Sequence, residues 1–335
     1  MNRIKLIFAG LVWLLAGACS SGKLFEIKFA GETQGTYYAV TYFAKDSINY
    51  QPQVDSILET IDRSLSLWNK SSLLTRINEN DTSAKVDQYI LDLFAESEQV
   101  SEKTGGAFDI TVGPLVNAWG FGFSDRMKLD QHKIDSILPL VGFHKVKLEG
   151  NKIIKEDPGI KLDFNAIAQG YTVDIICQFL RSKGIENYLV DVGGELLGRG
   201  SKPGNIKWVV GIEEPSENDD FERNLKATIS ISDRAIATSG NYRKFFEENG
   251  VKFSHTIDPK TGYPVKHTLL SVTVITDRCS TADAYATAFM VMGLDKAKEF
   301  LTQHKEFETY FIFSGKTGEI LTWSTPGIAG MVTEE

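Results

Sequence analysis

Stretches with a two-residue hydrophobic period and stretches with a 3.6-residue period follow one another along this chain without a regular strand–helix–strand beat. That irregular mixture points to an α+β fold. Phe25 to Phe43 alternates as a strand pair around the turn-prone Gln34-Gly35-Thr36. Pro52 introduces a helix with Val54, Ile57, Leu58, Ile61 and Leu65 on one face. A second helix, near Gln88 to Lys103, aligns Ile90, Leu93, Phe94 and Val100 and stops at Gly105-Gly106. A third, from about Ile167 to Ser182, ends at Gly184. Strands then dominate at Tyr188–Val192, Lys207–Ile212, Ala227–Ile231 and Leu269–Thr276. Helices at Ala282–Met292 and Lys296–His304 and strands at Thr309–Phe313 and Glu319–Trp323 complete the pattern. Pro215 to Asn224, acidic and polar, reads as an exposed loop or insertion. No linker, repeat or low-complexity segment divides the 335 residues, which suffice for one large domain or two tightly packed lobes.

The net charge of −8 gives a nucleic-acid partner no electrostatic support. An acidic chain that handles phosphates must screen them locally, with a cation or backbone amides. The first 18 residues read as an export signal: Arg3 and Lys5, an apolar run from Leu6 to Leu15, then Ala16-Gly17-Ala18 before Cys19. The run is shorter than the ~20 residues of a membrane-spanning helix. A cysteine after small residues fits a bacterial lipoprotein signal, with Cys19 lipidated and residues 19–30 serving as a tether. Ala16 stands where a large aliphatic residue is usual, and ordinary signal-peptidase cleavage to a soluble periplasmic protein is the alternative. The expected location is the periplasmic side of a bacterial envelope, anchored by lipid to the inner or outer membrane. Cys177 and Cys279 show no metal spacing, and no disulfide is expected.

Six short islands carry the chemistry. Ser254-His255-Thr256-Ile257-Asp258-Pro259-Lys260-Thr261-Gly262 is a tight loop with a histidine suited to proton transfer near neutral pH. Asp258 either orients His255 or caps its own turn, and a lone histidine in such a loop can also be a plain surface residue. Asp283 and Thr287 fall four apart on a helix, so both oxygens leave one face. Such hard ligands suit Mg²⁺ or Ca²⁺ better than zinc, although spacing alone equally suits a helix-capping Asp283 and a buried Thr287. Leu162 to Tyr171 reads as a strand end turning into a helix, a junction that presents free N–H groups to phosphate. Gly105-Gly106 lets backbone approach a ligand, with Phe108 as an apolar wall. Asp191-Val192-Gly193-Gly194-Glu195 and Ala237-Thr238-Ser239-Gly240 read as tight turns near the site. Trp68 beside a turn suits either ring stacking or a core position. Pro114 and Trp119-Gly120-Phe121-Gly122-Phe123 read as packing and turn residues, since no third glycine makes a Rossmann fingerprint. Gly315-Lys316-Thr317 lacks the upstream glycine of a P-loop, because Tyr310 stands there.

These islands, in this order from about Gln34 to the C-terminal region, resemble the ApbE family of magnesium-dependent FAD:protein FMN transferases. The resemblance implies a T-fold-related α+β domain over residues 31–335. It would have two closely packed related lobes with mixed or antiparallel sheets and the nucleotide site between them. Position by position it implies Mg²⁺ ligation by Asp283, Thr287 and the Ala166 carbonyl, and nucleotide contacts from Asp163 and Gln169. Ala107, Phe108 and Asp109 would line the flavin site, Trp68 would stack on the isoalloxazine or adenine ring, and Ile257 would line the nucleotide. Gln34 stands where the family often has methionine, and Gln169 where a charged residue is expected. His255 would act as general base or proton shuttle. The implied activity moves FMN from FAD to a threonine or serine hydroxyl of an exported protein, and AMP leaves. Implied acceptors are electron-transfer proteins such as subunits of the RNF complex or sodium-pumping NADH:quinone reductase. FAD hydrolysis to FMN and AMP is the near alternative, and a flavin-binding lipoprotein without turnover the distant one. Retention of Asp283, Thr287 and His255 together argues for an enzyme.

Overall fold

The computed structural model describes residues 24–122, 127, 129–215, 224–241, 245–248 and 251–334. The export signal, Cys19 and most of the Pro215–Asn224 segment lie outside that set. Strands β1 (Phe25–Thr33) and β2 (Thr36–Ala44) open the chain. Gln34 and Gly35 join them with φ of 50° and 72°, the two positive values that a type I′ hairpin requires. Five helices follow: α1 (Gln51–Leu65), α2 (Leu73–Asn78), α3 (Gln88–Lys103), α4 (Gly113–Ala118) and α5 (Gln131–Ile137). A small hairpin of β3 (Val146–Glu149) and β4 (Lys152–Lys155) precedes α6 (Ala168–Ser182). Then come β5 (Asn187–Val192), β6 (Glu195–Arg199), β7 (Trp208–Glu213), β8 (Leu225–Ile231) and β9 (Arg234–Gly240). The hairpin of β10 (Phe245–Glu248) and β11 (Val251–Ser254) leads to β12 (Leu269–Thr276). The chain ends with α7 (Cys279–Met292), α8 (Leu294–Gln303), β13 (Glu308–Ser314), β14 (Ile320–Ser324) and β15 (Val332–Glu334).

The fold is α+β. One eight-stranded sheet runs β1-β2-β5-β6-β9-β12-β13-β14, and every ladder in it is antiparallel. Strand alternation sorts its side chains into two layers. On one face Val40, Tyr42, Ala235, Ala237, Val272 and Val274 pack under the helices. On the other, Phe43, Ile236 and Ile275 meet Trp208, Ile229 and Ile231 of a three-stranded sheet ordered β15-β8-β7. The expected two lobes share this single sheet. Four strands with α6 make one half, four strands with α7 make the other, and the β6–β9 ladder is the seam.

Two expectations are corrected. Ala237 to Gly240 is not a turn but the end of β9, in the middle of the sheet. Its small residues imitate a turn in the sequence, yet they are small because a helix lies directly on them. Ile160 to Asp163 is part of no strand; the Asn78 side chain pairs with it instead, accepting from Leu162 N at 2.7 Å and donating to Leu162 O at 2.8 Å. Asp191 to Glu195, as expected, is the β5–β6 turn, with Gly193 and Gly194 at φ of 67° and 108°. Cys177 and Cys279 are buried free thiols.

Helix α7 shows no amphipathic stripe because ten of its 14 residues are buried. Its N-terminus therefore cannot be capped by water. Asp174 of α6 does this from across the interface, accepting from Cys279 N at 2.9 Å and Ser280 N at 3.0 Å. Glu96 of α3 adds bonds from the Ser280 and Thr281 hydroxyls. One turn earlier on α6, Gly170 touches the same place. A Cβ there would fall 2.3 Å from the Cys279 carbonyl oxygen and 2.8 Å from Ser280 N. Gly170→Ala should therefore force the helices apart and cost about 3 kcal/mol in urea unfolding. Gly184→Ala, whose Cβ meets nothing within 4 Å despite φ of 75°, should cost about 1 kcal/mol.

Candidate active site

The α6–α7 contact also holds the metal candidates. Asp283 lies in the second turn of α7, four residues after Cys279, so it does not cap the helix. Its carboxylate is buried, and Oδ2 accepts from Gly170 N at 3.1 Å. Burial pushes its pKa from the ordinary 3.8 up to about 7; the Gly170 bond opposes this, while Glu96 and Asp174 reinforce it. Thr287 is half-buried one turn on, with Oγ1 3.2 Å from the Ser239 Oγ of β9. Ala166 sits in the turn just before α6. No group of three His, Cys, Asp or Glu suited to a metal occurs among the described residues. The donors are one carboxylate, one hydroxyl and one carbonyl, the oxygen set that Mg²⁺ takes when phosphate and water fill its remaining positions. A buried carboxylate repelled by two others is also a place where a cation relieves the cost of charge. The residues fit the ion.

The nucleotide candidates surround this junction. Asp163 is 9% exposed, and its Oδ1 accepts from Asn165 N at 2.8 Å in a tight turn. Burial raises its carboxyl pKa. With Leu67, Asn78, Asn117, Lys161 and Leu162 it lines a cleft of about 170 Å³. That is below the ~300 Å³ of a small-ligand pocket, so it has room for only one part of a larger ligand. Trp68, next after Leu67, is 69% exposed and thus belongs to the surface rather than to the core.

Ala107, Phe108 and Asp109 are all buried. Phe108 belongs to the main core. Asp109 accepts from Thr111 N and Oγ1 through Oδ1, and from Phe143 N through Oδ2, so its carboxylate shapes the loop. Gln34 donates through Nε2 to Thr172 Oγ1 at 2.7 Å, fastening the β1–β2 turn to α6. Gln169 lies over Gly193, where a Cβ would come within 2.9 Å of its Nε2. The Gly193-Gly194 turn is thus the bed of the first turn of α6, a role its sequence did not disclose.

At the other end stands the His255 loop. His255 is half-buried and edge-on to Phe121, ring centroids 6.3 Å apart. Asp258 Oδ1 accepts from Lys260 N at 2.9 Å, the bond of a self-capping turn. Ile257 is buried with Leu115, Ala118, Trp119 and Ile134. Trp119 Nε1 donates to Gly262 O at 2.8 Å, and a Cβ on Gly106 would lie 3.8 Å from Lys260 Cε. The Gly105 island in turn meets the Leu162 island, where Asp163 N donates to Ile110 O at 2.7 Å. Through Gly170, Asp283, Thr287 and Ser239 the line of contacts continues to β9. A run of contacts thereby links islands dispersed over more than half of the chain.

Sequence reasoning missed Glu96, Asn78, Asp174 and Ser239. Asp174 had a signal, since it follows Gly170 by four residues on one helical face. Glu96 and Asn78 had none, because their partners lie 184 and 84 residues away.

The raised Asp283 pKa has a signed consequence. Its contribution to stability is complete below the unfolded carboxylate range and is lost as pH rises to about 7. In divalent-free buffer, Asp283→Asn should raise the melting temperature by several degrees at pH 8 and leave it nearly unchanged at pH 4. Adding Mg²⁺ should narrow the gap by stabilising the unsubstituted protein alone.

A model of the ApbE family matches residues 34–311. The FAD:protein FMN transferase of Vibrio cholerae is 37% identical over 291 residues, 84% of this chain and 86% of its own length. That of Escherichia coli K12 is 33% identical over 316 residues, covering 91% and 89%. The solved flavin transferase ApbE from Vibrio cholerae superposes with a TM-score of 0.82 at 32% identity, over 92% of this chain and 100% of that one.

Proposed function

Since the chain belongs to the ApbE family, we propose that it is an FAD:protein FMN transferase that needs Mg²⁺, modifies a threonine or serine hydroxyl and releases AMP. The observation that carries the reading is the buried Asp283 carboxylate, held by the Gly170 N–H one turn from Thr287. Asp283, Thr287 and the Ala166 carbonyl would hold Mg²⁺, which when bound neutralises pyrophosphate charge and stabilises the leaving phosphate. The chain's own residues supply the rest. The cleft at Asp163 takes one end of FAD, with Trp68 as a stacking surface beside it, and Gln169 reaches the pyrophosphate from the first turn of α6. His255 removes the proton of the acceptor hydroxyl. The acceptor oxygen bonds to the phosphorus of the FMN half, the bond from that phosphorus to the bridging oxygen breaks, and AMP departs with that oxygen.

The export signal and Cys19 support a lipid-anchored location on the periplasmic side of the envelope. The acceptors there would be electron-transfer proteins of the RNF or sodium-pumping NADH:quinone reductase kind. Among the described residues no helix is long and apolar enough to cross a membrane. Mass spectrometry should find a mature chain that begins at a modified Cys19; an unmodified Cys19 would remove the anchor.

The decisive assay combines purified protein, FAD, Mg²⁺ and an acceptor, and reads AMP release together with acceptor mass. AMP without a heavier acceptor would indicate FAD hydrolysis, and neither product would indicate a binder. His255→Ala should keep FAD affinity and lower the single-turnover rate by roughly two to four orders of magnitude. It should also lose the acid limb of the pH profile. Weaker binding with an unchanged chemical step would take His255 out of the mechanism.

A further inference from the structure

Alternate residues of β9 face α7. Ala235 and Ala237 are fully buried there, and the next in the series is Ser239. Two alanines bring the helix close, and the third position supplies a hydroxyl at 3.2 Å from Thr287 Oγ1. A threonine hydroxyl that offers a lone pair to a cation keeps its proton and must donate it elsewhere. On a helix the ready acceptor is the carbonyl four residues back, here that of Asp283 itself. That choice fixes the rotor by the helix alone and leaves the hydroxyl unaligned with any external charge. An acceptor on a separate, rigid strand fixes it from outside.

We propose that Ser239 is a positioning residue for the cation: its Oγ accepts the Thr287 proton and so turns the Thr287 lone pairs toward the ion that Asp283 shares. The proposal rests on the reading of Asp283 and Thr287 as ligands, and it extends the site from α7 to the central strand of the sheet. Partners that orient metal ligands typically matter 10- to 100-fold in affinity.

The test needs neither FAD nor an acceptor. Mn²⁺ binding to the purified protein is titrated by electron paramagnetic resonance, and unfolding is followed in parallel with EDTA. Ser239→Ala should weaken Mn²⁺ about 10-fold with little change in the EDTA melting temperature. Ser239→Thr, which keeps the hydroxyl, should bind nearly as the parent does. In a Thr287→Ala background, Ser239→Ala should produce no further loss, because its effect passes through Thr287. Unchanged affinity in Ser239→Ala overturns the proposal, as does an equal loss in the Thr287→Ala background. Asp283→Ala separates the two levels. If it abolishes Mn²⁺ binding while Ser239→Ala does not affect it, the positioning role alone fails. If Asp283→Ala binds Mn²⁺ normally, the metal site itself is elsewhere.

Discussion

The site depends on how closely α6 can lie against the first turn of α7. Only a residue without a side chain at Gly170 permits this, since a Cβ would overlap the Cys279 carbonyl. Once the helices touch, three consequences share the one contact. The Gly170 N–H reaches Asp283, Asp174 reaches the free N–H groups of Cys279 and Ser280, and Glu96 closes the group from α3. A helix start that would otherwise be buried with open donors becomes satisfied by carboxylates. Those carboxylates in turn repel the charge of Asp283. Structural support and electrostatic tension thus come from the same atoms.

Elements that carry a sustained apolar run or a clear period were readable from their local pattern. The β1–β2 hairpin, α1, α3, α6, β12 and β13 fall within a few residues of their sequence positions. What escaped reading lacks such a run. Strand β9 reads as a turn because Ala235, Ala237 and Gly240 are small, yet smallness there serves the helix above. Strand β6 carries Glu195 and Gly198 and lacks alternation, because it lies inside the sheet between β5 and β9. Short α2, α4 and α5 have too few turns to show a period.

The site shows the same division. Asp283 and Thr287 are legible from their spacing once a resemblance supplies the context. Ser239 stands in a noted island, but its partner is 48 residues away and no pattern joins them. Asp109, conspicuous in sequence, also holds its own loop, with both oxygens accepting from neighbouring backbone and hydroxyl donors. A polar residue near a site can serve the ligand, the loop that meets it, or both.

The uninterrupted ladder from β1 to β14 has a mechanical meaning. Proteins that bind a nucleotide between two bodies commonly open by a hinge, with the ligand released as the halves part. Here α6 and α7 stand on strands of one hydrogen-bonded sheet, joined at β6–β9, and parting them would break that ladder. The floor beneath α6 and α7 is thus one continuous sheet rather than two hinged bodies.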